Sequence, residues 1–255
     1  RTSTREAVRG PDRIYQLRGS EARALATVGA FRVVPESDLV SHEVPRDTVK
    51  ADLRHLANQG LVALRTVPVN REPTRVVVLT PAGRELVLSH QRTDDRPAQM
   101  YHAGLVKPRE LAHDAQIYRL YQAEARQLEA QGAEVLRVVL DYELKRDYQT
   151  FLHRADRPDD ADSEADREAF ARAHQLPVID SHLELPDLRI EYRTAEGRIE
   201  TRDLELVTEH YSRSQLAGKA RAGFGLYRAA GAGRPRGGAA RTGGTPFDPH
   251  VLERL

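Results

Sequence analysis

"VPRDTVKADLRHLANQGLVALRTVPV", Val44–Val69, decides the first half of the fold. Val49, Leu53 and Leu56 recur at three- and four-residue spacing, so they share one face of a helix. Gly60 supplies the stop, because glycine enters the left-handed region without a steric penalty. "LVALRTVPV" follows as a β-rich run, and "TRVVVLT", Thr74–Thr80, is another. Asn70, Glu72 and Pro73 lie between them, so the two runs read as a hairpin. Upstream, "SEARALATVGAFRVV" places Ala22, Leu25, Val28 and Phe31 on one helical face, with Ser20 as N-cap. "PESDLV", Pro35–Val40, reads as a short second helix. Downstream, Thr80 and Pro81 open a last helix as cap and first-turn proline. Three helices, a two-stranded wing and a helix are the order of a winged helix-turn-helix, expected over residues 14–92. Residues 1–12 have no apolar periodicity and read as a tail or arm.

With Val49, Leu53 and Leu56 inward, Arg46, Thr48, Lys50 and Arg54 are left outward on the helix that a winged helix lays in the major groove. Arginine suits guanine edges and phosphates, and threonine and lysine suit either. Arg65, Arg71 and Arg75 flank the wing, where phosphate contacts position a protein without specifying sequence. The expected partner is double-stranded DNA. Winged helices also serve as protein-interaction modules, and that reading stays open.

"SHQRTDDRPAQMYHAGLVKPREL" mixes charge, proline and glycine and reads as a linker, placed at 93–110. A second pattern starts beyond it. "HDAQIYRLYQAEARQLEAQG", His113–Gly132, is an amphipathic helix with Ile117, Leu120, Tyr121 and Leu128 on one side. "EVLRVVLDYEL" is a strand, and residues 146–176 read as a charged loop and an exposed helix. "DYELKRD", Asp141–Asp147, reads as a solvated junction. "PDLRIEYR" and "RIETRDLELVTEHY" are alternating strands joined by "TAEGR", whose glycine suits a turn. "SRSQLAGKARAGFGLYRAA" reads as the closing helix. The domain is expected over 111–230, and residues 231–255 as a flexible Gly- and Arg-rich tail.

Helix, strand, insertion, two strands and a helix resemble a PD-(D/E)xK restriction-endonuclease-like core. The whole is therefore expected as an α+β or α/β chain: a winged helix followed by that domain. In that core an Asp opens one strand and an acid-x-Lys sits on the next. The carboxylates hold Mg²⁺, a hard cation that prefers oxygen ligands, and the ion activates water and neutralises phosphate charge. The resemblance assigns Asp187 and Glu205 as metal and catalytic residues. Strand alternation puts Glu205 on one face with Asp203 and Val207. Val207 stands where the motif wants lysine. Lys219 on the following helix is the candidate replacement and Gln215 the second, with Glu124 as a candidate additional acid. The alternative is that Asp187 and Glu205 are ordinary sheet acids and Lys219 a solvated helix residue. One strand that normally follows the last helix of the core is missing from this reading.

Along residues 15–230 the chain resembles the replication-relaxation family of plasmids and integrative elements of Gram-positive bacteria. The match rests on His113-Asp114 opening a helix, Pro186-Asp187 opening a strand, then Glu205, Glu209, Lys219 and Tyr227. The resemblance implies a role in plasmid replication or in DNA relaxation during transfer, with a degenerate nuclease-like domain where the lysine is absent. It leaves two other readings open: an active Mg²⁺-dependent nuclease or nickase, and a winged-helix regulator whose second domain dimerises. A homodimer or other replication or transfer proteins are the implied partners.

Two further chemistries are weighed on the residues. His113 with Asp114 suits proton shuttling, but an Asp at a helix start more simply complements the dipole. Tyr142, Tyr148 and Tyr211 are candidate nucleophiles of the relaxase kind, yet the dispersed histidines offer no cluster to hold metal beside one. Composition bounds the rest. The 255 residues carry 39 basic and 38 acidic side chains, so any basic surface is local. There is no cysteine, which excludes disulfides and thiolate-bound zinc. No apolar run approaches a membrane span, and the chain is expected in the cytoplasm without a membrane partner.

Overall fold

The computed structural model describes residues 4–40, 45–69, 72–91, 98–154, 163–208, 211–228 and 253–254. They fall into two compact units, Arg1–Arg119 and Leu120–Leu255.

The first unit begins with a hairpin where a tail was expected. β1 (Glu6–Arg9) pairs antiparallel with β2 (Ile14–Leu17). Strands of only four residues carry little signal of their own; the hairpin is held by distant partners. Arg5 Nη2 lies 2.6 Å from Glu21 Oε1, and the Tyr15 ring is buried. α1 (Gly19–Ala30) follows. Its cap differs from the expectation: Ser20 Oγ turns to Asp52 (2.6 Å), and Glu21 accepts the Arg18 N–H (3.0 Å) instead. Glu21 and Asp52 are both buried, and Arg5, Arg18 and His55 close on them. This ionic knot ties the hairpin and α1 to α2 (Arg46–Asn58). Buried acids require such partners, because an unpaired buried charge is strongly destabilising.

Between α1 and α2 lie β3 (Val34–Pro35) and a 3₁₀ turn at Glu36–Leu39, the short second helix of the motif. β4 (Val62–Val69) and β5 (Glu72–Leu79) form the wing, and β3 pairs on the far side of β5. α3 (Pro81–Ser89) is capped as the sequence predicts, with Thr80 Oγ1 accepting the Gly83 N–H (3.0 Å). Two glycines are demanded by geometry. Gly60 ends α2 at φ +73°, and a Cβ on Gly83 would meet Leu61 O at 2.0 Å. The order and pairing are those of a winged helix. Residues 98–110, expected as a linker, bond to this unit: His102 N–H to Gly29 O and Gly104 N–H to Leu79 O, both 2.8 Å. Val33, Val67, Val69, Val76, Val106, Leu111 and Ala115 share one core cluster.

The division between units falls inside α4 (Leu111–Ala130). The second unit continues with β6 (Glu134–Leu140), α5 (Asp141–Leu152), α6 (Ser163–Ala173) and a small pair, β7 (Val178–Ile179) with β8 (His182–Leu183). Phe170 of α6 is buried against Tyr148 and Phe151, so this helix is not merely the exposed one that its charge suggested. β9 (Leu188–Arg193), β10 (Ile199–Val207), α7 (Arg213–Arg221) and β11 (Gly225–Arg228) complete the unit. The sheet order is β12-β11-β10-β9-β6, where β12 is Glu253–Arg254.

One correction bears on topology. "GLYR", read as the end of the closing helix, is β11, parallel to β10 with Leu206 opposite Tyr227. Gly223 and Phe224 break α7 before it. A strand therefore follows α7, joined to β10 by a helical crossover as parallel strands require. Residues 229–252, most of the expected flexible tail, lie outside the described residues. No helix among the described residues is long and apolar enough to cross a membrane.

Candidate functional site

The sheet of the second unit lines up carboxylates at one end. β9 runs antiparallel to both β6 and β10, with Leu140, Leu188 and Leu204 in register. One step outward stand Asp141, Asp187 and Glu205, and side-chain alternation turns them to the face opposite the leucines. Asp141 N–H donates to Asp187 O (3.2 Å). Asp187 N–H donates to Glu205 Oε2 (3.3 Å), and Asp187 Oδ2 accepts the Leu206 N–H (2.8 Å).

Glu205 is 2% exposed. Its Oε1 accepts a short bond from the Tyr211 hydroxyl and stands 3.2 Å from Lys219 Nζ. Lys219 thus reaches back from α7 to Glu205, while Val207 in the motif's lysine position is buried. Lys219 is also 3.2 Å from Glu184 Oε2, and it donates to Leu185 O (2.7 Å). The structure brings Asp187, Glu205 and Lys219 together.

The other candidates are placed elsewhere. Gln215 accepts the Ser212 N–H (2.9 Å) in a capping box, so it serves the start of α7. Glu124 is fully buried on the opposite sheet face, bonded by Arg202 (2.7 Å) and Tyr227. Arg202 follows strand alternation away from Glu205, which carries Glu124 away with it. Asp203 forms a bidentate pair with the buried Arg189, both bonds 2.7 Å. His113 and Asp114 lie in the first unit. Asp114 is buried a turn inside α4, 3.4 Å from Arg32, so it is an ion-pair anchor rather than a cap. Tyr148 belongs to the aromatic core. Glu209 lies outside the described residues. Sequence reasoning missed Glu184, and it missed Asp141 with Lys145, whose ion pair measures 2.6 Å. The sequence offered only position, Asp141 directly following the apolar run of β6; its place beside Asp187 comes from strand register.

Burial, and then the charge of Asp187, raise the Glu205 pKa to about 7, against the lowering effect of Lys219 and Tyr211. Burial likewise raises the Tyr211 pKa far above the ordinary phenol value, helped by Glu205 and Asp187. Tyr211 is therefore a proton donor to Glu205 and is ill suited to attack as phenolate. Among the described residues no group of three or more His, Asp or Glu is placed to cage a metal ion. Mg²⁺, however, commonly binds through one or two carboxylates and keeps its waters. Two adjacent carboxylates whose mutual repulsion raises a pKa fit such a hydrated ion.

In the first unit, Arg46, Lys50 and Arg54 recur every fourth residue along one exposed stripe of α2. Arg46, Lys50 and Arg75 line a concavity of about 420 Å³ with Glu36 and Thr74, between α2 and the wing. Arg75 Nε is paired with Glu36 Oε2 (2.9 Å). Thr48 is half-buried and does not line the concavity. Arg65 is exposed on β4 and donates to the neighbouring Leu64 O (3.3 Å). Arg71 lies outside the described residues.

No protein-family model matches the chain, and no curated protein matches it significantly. Among solved structures, it is similar to Bacillus subtilis PadR in complex with operator DNA. The identity is 14%, over 61% of this chain and 89% of that one, with a TM-score of 0.25. So distant a likeness carries no functional argument.

Proposed function

We propose that this protein binds double-stranded DNA through its winged-helix unit and cleaves a phosphodiester bond at Asp187, Glu205 and Lys219. On this reading it serves plasmid replication or DNA relaxation in a mobile element. The observation that carries it is Lys219 Nζ at 3.2 Å from Glu205 Oε1, with the backbone N–H of Asp187 donating to the same carboxylate. A helix lysine supplies the cation that Val207 does not, and the helix, strand and crossover order supports reading the unit as a restriction-endonuclease-like core. Asp187 and Glu205 would hold Mg²⁺, which when bound neutralises phosphate charge and lowers the pKa of water. Lys219 holds Glu205 in place and keeps a positive charge beside the pair. Tyr211 fixes the Glu205 rotamer by donating to Oε1. The stripe of Arg46, Lys50 and Arg54 would enter the groove, with Arg65 and Arg75 at phosphates.

A second reading has its own support. Lys219 is engaged by three oxygens, from Glu184, Glu205 and Leu185, and a lysine so held also fits an inert domain that binds DNA or a second copy. Supercoiled plasmid decides between them. With Mg²⁺ or Mn²⁺ the wild-type protein nicks it and Asp187→Ala does not; the absence of nicking by wild type would leave the inert reading.

A further inference from the structure

We propose that Lys145 is a second lysine of this site and the one that meets the DNA phosphate. The inference rests on the cleavage reading above and extends it to a residue outside its motif.

Lys145 sits one turn into α5, directly after the strand that ends beside Asp187. Its ammonium is 2.6 Å from Asp141 Oδ2, and Asp141 is the third member of the carboxylate row. Burial lowers the Lys145 pKa, but the bond to Asp141 and the charges of Asp141, Asp187 and Glu205 outweigh it and raise the value. The amine therefore stands within the field of both proposed metal ligands.

The two lysines differ in how they are held. Lys219 has a side chain only 14% exposed, engaged with Glu184, Glu205 and Leu185 O. Lys145 has a side chain 62% exposed, with Asp141 as its one ion-pair partner among the described residues. A row of carboxylates repels a phosphodiester, so a site there needs a cation free to turn to the substrate. Lys219 is fixed inward. Lys145 can exchange its half-buried Asp141 partner for a phosphate oxygen, because its own side chain lies in solvent and an Asp–Lys pair four residues apart holds a solvated lysine weakly. Lysine suits that task as a compact charge on a flexible stem.

The test needs no cleavage. Full-length protein carrying Asp187→Ala is titrated with a short duplex at several salt concentrations, with and without Lys145→Ala. Each phosphate contact steepens the dependence of log K on log salt by about 0.9. Lys145→Ala is expected to flatten the slope by that amount, Lys145→Arg to restore it, and the thermal midpoint to stay unchanged. A slope unaltered by Lys145→Ala overturns the proposal even if wild type nicks plasmid. A flattened slope in a protein that never nicks keeps Lys145 at the phosphate and removes only the cleavage reading.

Discussion

On α2, Arg46, Lys50 and Arg54 stand in solvent on one stripe. At the sheet end of the second unit, Asp187, Glu205 and Lys219 are packed against one another. The first arrangement needs no partner, since exposed charge is well solvated and screened by salt within about 10 Å. It suits a ligand that brings its own charge, such as a phosphate ladder. The second tolerates no loose charge: each carboxylate oxygen must find a donor, and each donor fixes a geometry. The contrast separates a surface that attracts from a pocket that positions.

The largest expected effect strikes the pocket's support. Arg189→Ala removes a buried guanidinium, leaves the half-buried Asp203 without its partner and frees the carbonyls of His174 and Gln175. Urea unfolding should show a loss of about 3–5 kcal/mol. The same substitution on Arg54 should leave stability within about 0.5 kcal/mol, as for most surface changes. Next comes Lys219→Ala. Plasmid nicking should fall by about 10²-fold while a duplex mobility shift is retained. If the shift is lost as well, the two regions are not separable. For the surface, Lys50→Ala with Arg54→Ala should weaken duplex binding by about tenfold or more, since each good contact is worth roughly 1–3 kcal/mol. Nicking at saturating DNA should persist, and an unchanged affinity would retire α2 as the reader.

The smallest effect is a pH profile. Glu143 is buried, and burial raises its carboxyl pKa to about 7 despite the Leu140 N–H that bonds it. The folded protein then holds more protons than the unfolded chain between the ordinary value of 4.5 and about 7. Stability linked to Glu143 is complete below that window and declines as pH rises through it. Glu143→Gln keeps the cap and should flatten the decline by an amount on the order of 1 kcal/mol, read from unfolding midpoints at pH 5 and pH 8.

Much of the first unit was legible because its signals are local. The Val49–Leu53–Leu56 spacing, the Gly60 stop and the Thr80-Pro81 cap each act within a few residues. The N-terminal hairpin was not legible, because Arg5 finds Glu21 and Arg18 finds Asp52 across long sequence separations. In the second unit Asp187 and Glu205 were visible as strand acids and Lys219 as a candidate. Asp141, Lys145 and Glu184 were hidden, since nothing in "DYELKRD" or its neighbours says which strand lies alongside. Glu124 was misplaced for the same reason: helix periodicity gives a face, not the sheet surface it meets.

By itself, then, the sequence determined the winged-helix elements, the outward stripe of α2 and the alternation that sets Glu205 apart from Leu204 and Leu206. These follow from helix and strand periods, which are properties of the local backbone. Only the tertiary structure decided that "GLYR" is a strand, that Lys219 rather than Gln215 reaches Glu205, and that Asp141 stands beside Asp187. Each depends on strand register and on which buried charge finds which partner, and those are settled only when the sheet closes.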